Sequence, residues 1–197
     1  MSRFFRQESP PQFDDYRRYR PFLQRDFHRL CAYCERPEAA IGGEEFFEID
    51  HLRPKSRFPE QLTHYSNVYY ACGKCNRHKS ETWPSESLLA QGFRFSDPCE
   101  EDMYVDHLEE RQDGTLLART KCGDYTKSHI RLDRLDLRVW RQTKRQIAEE
   151  LPILRALAGK LQDIFAIESD PFVRDDIQLK LIALERVIHR QRQLYSL

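Results

Sequence analysis

This chain contains the stretch Phe46-Phe47-Glu48-Ile49-Asp50-His51-Leu52-Arg53-Pro54-Lys55-Ser56. Its alternating apolar residues predict a β-strand that ends in an Asp-His pair. A second stretch follows, Tyr65-Ser66-Asn67-Val68-Tyr69-Tyr70-Ala71-Cys72-Gly73-Lys74-Cys75-Asn76-Arg77-His78-Lys79. We expect a helix that starts near Gly73 and faces the strand. One pair of cysteines precedes the strand, and a second pair lies at the start of the expected helix. A metal ion bound by both pairs would hold the strand and the helix together.

The cysteine pairs are Cys31-x-x-Cys34 and Cys72-x-x-Cys75. Two thiolates at this spacing occupy half of a tetrahedral zinc site, so two pairs complete it. The site is predicted to be structural, because a catalytic zinc ion keeps one position open for water. Four unrelated buried cysteines are the alternative, and the repeated ligand spacing disfavours it.

Two further cysteines, Cys99 and Cys122, match no ligand spacing. With His107 or His129 they could form a second metal site, but free thiols are the favoured interpretation.

The Asp-His pair suits phosphodiester hydrolysis. A histidine with an ordinary pKa of about 6.5 can take a proton from water at neutral pH, so His51 is the candidate general base. Mg²⁺ prefers oxygen ligands and retains several waters, so Asp50 and Asn76 suffice as its protein ligands.

These residues, in this order and density across positions 31–80, resemble the zinc-stapled branch of the HNH (ββα-metal) endonuclease family. The positions that carry the resemblance are Cys31-x-x-Cys34, Glu48-Ile49-Asp50-His51, Pro54-Lys55-Ser56, Asn67 and Cys72-x-x-Cys75-Asn76-x-x-Lys79. Asn76 stands where the family name has its third residue, a histidine, and we interpret it as a variant that keeps activity.

The resemblance implies a role for each position. His51 is the general base, Asp50 and Asn76 bind catalytic Mg²⁺ or Mn²⁺, and Asn67 braces the loop that orients His51. Glu48 is expected to be a structural residue or to lie behind the metal ligands. The four cysteines bind structural zinc. Phosphate contacts are expected from the basic side chains Arg53, Lys55, Arg57 and Lys79.

The complete chain is predicted to have an α+β fold with four parts. Residues 1–30 form a basic arm and helix broken near Pro21, and residues 31–82 form the ββα-metal core with its four-cysteine zinc site. Residues 83–127 form a small β-hairpin extension, with strands at 103–105 and 115–118 around a turn at 112–114. Residues 128–197 form a helical hairpin, with a break at Pro152 and a second helix capped by Asp170-Pro171.

A second, weaker resemblance involves residues outside the core, namely Asp97-Pro98, Gly114, Leu132, Leu135, Leu137 and Arg141. They are similar to the HNH nuclease subunit of Septu-type anti-phage systems, in which the nuclease works beside an ATPase. The C-terminal helices are then the expected docking surface for that ATPase.

Composition limits the location and the partners. No apolar run reaches membrane-spanning length, and six cysteines without a secretory leader indicate a cytoplasmic protein. The net charge is zero, but residues 51–80 hold six Lys or Arg against one acid, and residues 97–113 hold eight acids against one Arg. The basic segment could face phosphate, although both segments could equally be ordinary solvated surfaces.

The predicted activity is hydrolysis of double-stranded DNA, and the resemblance implies products with 5′-phosphate and 3′-hydroxyl ends. RNA remains a possible substrate. The alternative is a non-catalytic zinc module that binds nucleic acid or a partner ATPase. The cysteines and the basic loop fit both functions, whereas an acidic residue near phosphate favours the enzyme.

Overall fold

The computed structural model describes residues 3–197, which divide into two compact units near residue 140. Helices dominate both units, and the first also holds two small two-stranded sheets. The predicted α+β class is confirmed.

A ββα arrangement forms the centre of the first unit. Strand β1 (Phe47–His51) pairs antiparallel with β2 (Val68–Cys72), with Phe47 opposite Cys72 and His51 opposite Val68. Helix α2 (Gly73–Lys79) follows β2 without a loop. All five residues of β2 are buried. Because β1 pairs with this strand and α2 begins directly after it, the position of β2 in the core fixes the positions of both.

The N-terminal segment packs on this core. A 3₁₀ turn, Tyr16–Tyr19, is capped by the Asp15 side chain and leads into α1 (Arg20–Asp26), which packs against β2. Pro21 was expected to break a longer helix. Instead it lies in the first turn of α1, where a missing backbone N–H leaves no hydrogen bond unmade.

The N-terminal arm is held by Arg6. Its guanidinium donates hydrogen bonds to the carbonyl oxygens of Tyr65, Ser66 and Val68 at 2.6–3.1 Å. It also lies 4.5 Å from the ring centroid of Tyr69. The arm is therefore part of the core around β2.

The extension contains helix α3 (Glu86–Ala90), strands β3 (Leu108–Glu110) and β4 (Leu116–Ala118), and helix α4 (Lys121–Ile130). The first predicted strand, at 103–105, was wrong. Residues Met103–His107 form a π-helical turn, because the Asp102 side chain accepts hydrogen bonds from the backbone N–H groups of Tyr104 and Val105. The hairpin itself is present, with its turn at 112–114 and its second strand where they were predicted, and only the first strand lies later, at Leu108–Glu110.

Helix α5 (Leu135–Ile167) crosses the boundary between the two units, and α6 (Pro171–Tyr195) completes the second. The predicted break at Pro152 was wrong, since α5 continues through it. Leu151 and Ala158 are buried on either side, so the apolar stripe extends past a proline that costs an interior helix about 3 kcal/mol. The predicted cap of α6 is confirmed, because Asp170 accepts hydrogen bonds from the N–H groups of Phe172 and Val173.

Within the described part of the chain, none of the helices has the length and apolarity needed to span a bilayer.

Candidate nuclease site and zinc centre

The four predicted zinc ligands lie together. Cys31 and Cys34 belong to a turn after α1, Cys72 ends β2, and Cys75 lies in the first turn of α2. All four are buried, and their sulfur atoms lie within 4.8 Å of one another. The Cys34 and Cys72 sulfurs are 3.9 Å apart. Zn–S bonds of about 2.3 Å in a tetrahedron separate the sulfurs by about 3.8 Å, so this donor set fits zinc.

Two donors outside the cysteines approach this cluster. The backbone N–H of Cys72 donates to the Cys31 sulfur at 3.3 Å, and the Arg134 guanidinium donates to the Cys75 sulfur at 3.4 Å. Four thiolates and one Zn²⁺ carry a net charge of −2, which such donors stabilise. Arg134 could not be predicted from the sequence as part of this site, because it lies 59 residues from Cys75.

Strand β1 directs two acidic side chains toward helix α2. Alternation places Glu48 and Asp50 on one face of the strand. Asn76 Nδ2 donates to Glu48 Oε2 at 2.5 Å, and Lys79 Nζ lies 3.2 Å from the Asp50 carboxylate. Two side-chain pairs therefore connect strand and helix, with a spacing of two residues on the strand and three on the helix.

The Asp50–Lys79 pair is buried. Asp50 is 5% exposed and Lys79 is fully enclosed. Lys79 also donates to the backbone carbonyl of His51 at 2.5 Å, and the hydroxyl of Tyr33 donates to Asp50. Burial raises the pKa of Asp50, while Lys79 and Tyr33 act in the opposite direction. Because the ammonium of Lys79 is enclosed, it does not reach a surface where a phosphate could lie.

His51 has a fixed ring orientation. Its Nε2 lies 2.9 Å from the carbonyl oxygen of Leu62. A carbonyl can only accept, so Nε2 carries the proton and Nδ1 is left as the proton acceptor. Burial lowers the pKa of His51, although the Leu62 carbonyl and Asp50 oppose this shift. The ring of Tyr16 packs edge-on against the imidazole at 4.7 Å between centroids.

Asn67 connects the two ends of the loop that carries Leu62. Its Oδ1 accepts from the backbone N–H of Arg53 at 2.8 Å. Its Nδ2 lies 3.0 Å from the Arg53 carbonyl oxygen and 3.3 Å from that of Gln61. These contacts position Leu62, and through it the imidazole of His51.

The predicted basic loop contacts the rest of the site in two ways. Arg53 lies 5.7 Å from the ring centroids of Phe58 and Trp83, and Arg57 donates to the Trp83 carbonyl at 3.0 Å. Lys55 is exposed and lines the cleft beside His51.

That cleft has a volume of about 250 Å³. Its walls include Asp50, His51, Lys55, Asn76 and Arg77. The structure therefore brings the predicted base and both predicted metal ligands to one opening, with two cationic side chains at its edge.

Several residues of this site were not predicted from the sequence. Tyr33 lies inside the first cysteine turn, and Tyr16 precedes the motif by 35 positions. Arg77 is next to Asn76 in the sequence, so helix periodicity could have indicated it. Strand alternation predicts that Glu48 and Asp50 share one face of β1. It does not predict the contact between Glu48 and Asn76.

The remaining cysteines differ in their surroundings. Cys122 lies with Glu101 and His107, with ligand atoms within 4.8 Å. Burial tends to raise the pKa of Glu101, but hydrogen bonds from Arg94 and His107 outweigh this and lower it to about 2. Arg94 contacts both carboxylate oxygens at 2.5 and 2.8 Å, so an ion pair already neutralises Glu101. Burial raises the pKa of Cys99 to about 12.

The comparisons agree with this geometry. Residues 31–82 match the family model of the HNH endonucleases. Comparison with curated proteins gave no match. The matched segment begins at the first zinc-site cysteine and ends just after α2. Residues 31–82 of this chain are therefore similar to the HNH endonuclease domain, in sequence and in the ββα arrangement they form.

Proposed function

We propose that this protein hydrolyses DNA phosphodiester bonds with one divalent ion. The observation that carries this proposal is the hydrogen bond from His51 Nε2 to the Leu62 carbonyl, which leaves Nδ1 as a proton acceptor in the cleft. The bound ion, Mg²⁺ or Mn²⁺, supplies charge stabilisation at the phosphate and at the leaving oxygen.

In this reaction His51 takes a proton from water, and the water oxygen attacks phosphorus. The bond between phosphorus and the 3′-oxygen breaks, and the 3′-oxygen takes up a proton from solvent, so the products carry 5′-phosphate and 3′-hydroxyl ends. The lowered pKa of His51 keeps the imidazole neutral at pH 7, as a general base requires. Asn67 acts as a positioning residue, because its contacts fix the loop that holds His51.

Asp50 and Asn76 are the proposed ligands of the divalent ion. Both line the cleft and both offer oxygen atoms, which fits the preference of Mg²⁺. We assign Lys79 to holding the Asp50 carboxylate instead of a phosphate. Lys55 and Arg77 are the proposed phosphate contacts at the cleft, and Arg53 and Arg57 extend the basic surface beyond it. The four cysteines bind a structural zinc ion.

The proposed test is digestion of supercoiled plasmid by full-length, zinc-loaded protein with Mg²⁺. Wild type is expected to nick or linearise the plasmid, and His51→Ala is expected not to. His64→Ala is the matched control, because His64 is an exposed histidine near the other end of the same loop. Equal cutting by wild type and His51→Ala would remove His51 as the base.

A non-catalytic module that binds nucleic acid is the second candidate. It is favoured by the Asp50–Lys79 pair, which neutralises the acidic residue expected to repel phosphate. A wild-type protein that shifts DNA in a gel but leaves plasmid intact with Mg²⁺ or Mn²⁺ would support this alternative.

We further propose a role in cytoplasmic anti-phage defence, beside a partner ATPase that contacts the C-terminal helices. Ile167 and Phe172 support such a contact, because each is 85% exposed. The variant Ile167→Ser with Phe172→Ser is expected to lose co-purification with the ATPase while zinc content stays normal. Retained co-purification would place the interface elsewhere.

A further inference from the structure

We propose that Glu48 is an additional carboxylate ligand of the divalent ion, beside Asp50 and Asn76. This inference rests on the proposed function, since it concerns the same ion. It departs from the sequence expectation, in which Glu48 is structural or lies behind the ligands.

The position of Glu48 favours this role. Glu48 and Asp50 share the face of β1 that is directed at α2, and Asn76 hydrogen-bonds to Glu48 at 2.5 Å. Asp50 lies at the buried end of this face, whereas Glu48 is exposed and Asn76 is partly exposed. A Mg²⁺ or Mn²⁺ ion that retains several waters needs ligands on the open side.

The charges of the neighbouring side chains also favour a ligand role for Glu48. Lys79 neutralises Asp50, and Asn76 is uncharged, so these three side chains together carry no net charge. A divalent cation binds hard anionic oxygens most strongly, and its own charge dominates the site. Glu48 supplies the missing negative charge within hydrogen-bond distance of Asn76.

The space around Glu48 accommodates its carboxylate beside helix α2. Gly73 lies beneath its carboxylate, and a Cβ atom at position 73 would come within 3.0 Å of Glu48 Oε1. The missing side chain leaves room for the carboxylate beside the start of α2. Glu48 also lines two grooves next to the cleft, one of them shared with Asn76.

The test is a Mn²⁺ titration of the full-length, zinc-loaded protein, in which electron paramagnetic resonance measures the free Mn²⁺ concentration at each step. Glu48→Gln retains an oxygen that accepts from Asn76 but loses the charge. We expect this substitution to weaken Mn²⁺ binding by about tenfold or more. Loss of a group that only hydrogen-bonds to a metal ligand already weakens binding by about tenfold, so loss of a ligand charge should cost at least as much. Glu45→Gln is the matched control. Glu45 is an exposed acid that lines one of the same grooves, and its substitution removes the same charge.

The outcomes separate this inference from the proposed function. Binding by Glu48→Gln within about twofold of wild type, with Asn76→Ala weakened, would overturn the ligand role of Glu48 and leave the nuclease proposal standing. Equal weakening by Glu45→Gln would reduce the effect to general electrostatics and also overturn it. Absence of Mn²⁺ binding by wild type would overturn both. Normal zinc content in every variant establishes that the fold is intact.

Discussion

The hydroxyl of Tyr33 donates a hydrogen bond to the carboxylate of Asp50. Tyr33 lies in the turn that joins Cys31 to Cys34, so one residue connects the four-cysteine cluster to the proposed metal-binding carboxylate. Burial raises the pKa of Tyr33 well above its ordinary value, and Asp50 adds to this effect, so the hydroxyl remains a donor.

Removal of this hydroxyl is expected to weaken both the fold and the reaction. Tyr33→Phe leaves a buried carboxylate with one hydrogen bond fewer, which costs about 1–3 kcal/mol in the free energy of unfolding. Urea denaturation measures the loss, and single-turnover cutting measures the effect on rate. Tyr70→Phe is the matched control, because the Tyr70 hydroxyl donates to Glu38 at 2.6 Å, outside the cleft. A rate for Tyr33→Phe equal to that of Tyr70→Phe would contradict the connection.

Zinc removal is expected to unfold the domain. The cluster ties the turn at Cys31 to the junction of β2 and α2, and structural zinc contributes on the order of 10 kcal/mol to small domains. Cys72→Ser should lose bound zinc and lower the melting temperature. Cys99→Ser is the control, since Cys99 lies outside the cluster. Zinc content and melting temperature unchanged by Cys72→Ser would refute the zinc site.

The cutting rate is expected to stay constant from pH 8 down to below the ordinary histidine pKa of about 6.5. Burial lowers the pKa of His51, so the imidazole stays neutral and active until the pH falls through that lowered value. Protonation then removes the base and the rate falls. Single-turnover rates between pH 5 and 8 test this. A rate that already halves above pH 6.5 would show that another group limits the reaction.

Asn67→Asp is expected to shift this pH profile. The substitution keeps the oxygen that accepts from Arg53 but loses the donor to the carbonyls of Arg53 and Gln61. The loop should loosen and Leu62 should hold His51 less firmly. Because the Leu62 carbonyl raises the pKa of His51, a weaker hydrogen bond should lower the apparent pKa further. A lower melting temperature with an unchanged pH profile would limit Asn67 to a purely structural role.

Much of the core could be predicted from the sequence, because its signals are local. Alternation of apolar residues predicted β1, and cysteine spacing predicted the zinc cluster. The start of α2 near Gly73 and the cap at Asp170 were also predictable, since turn and capping residues act over a few positions.

Contacts between distant segments were not predictable. The burial of Lys79 depends on Asp50, 29 residues away, and lysine side chains are ordinarily exposed. The turn at 103–107 depends on the side chain of Asp102, which overrides the strand propensity of Tyr104 and Val105. Pro152 lies inside α5 although proline disfavours a helix interior. The burial of Leu151 and Ala158 favours a continuous helix, and this packing does not show in the local sequence.

Chemical rescue tests the role of His51 most directly. His51→Gly removes the imidazole and leaves a space that free imidazole can enter. We expect its single-turnover rate on plasmid DNA with Mg²⁺ to fall by about 10²-fold or more, and added imidazole to restore part of it. Cutting by His51→Gly at the wild-type rate, without imidazole, would contradict the account.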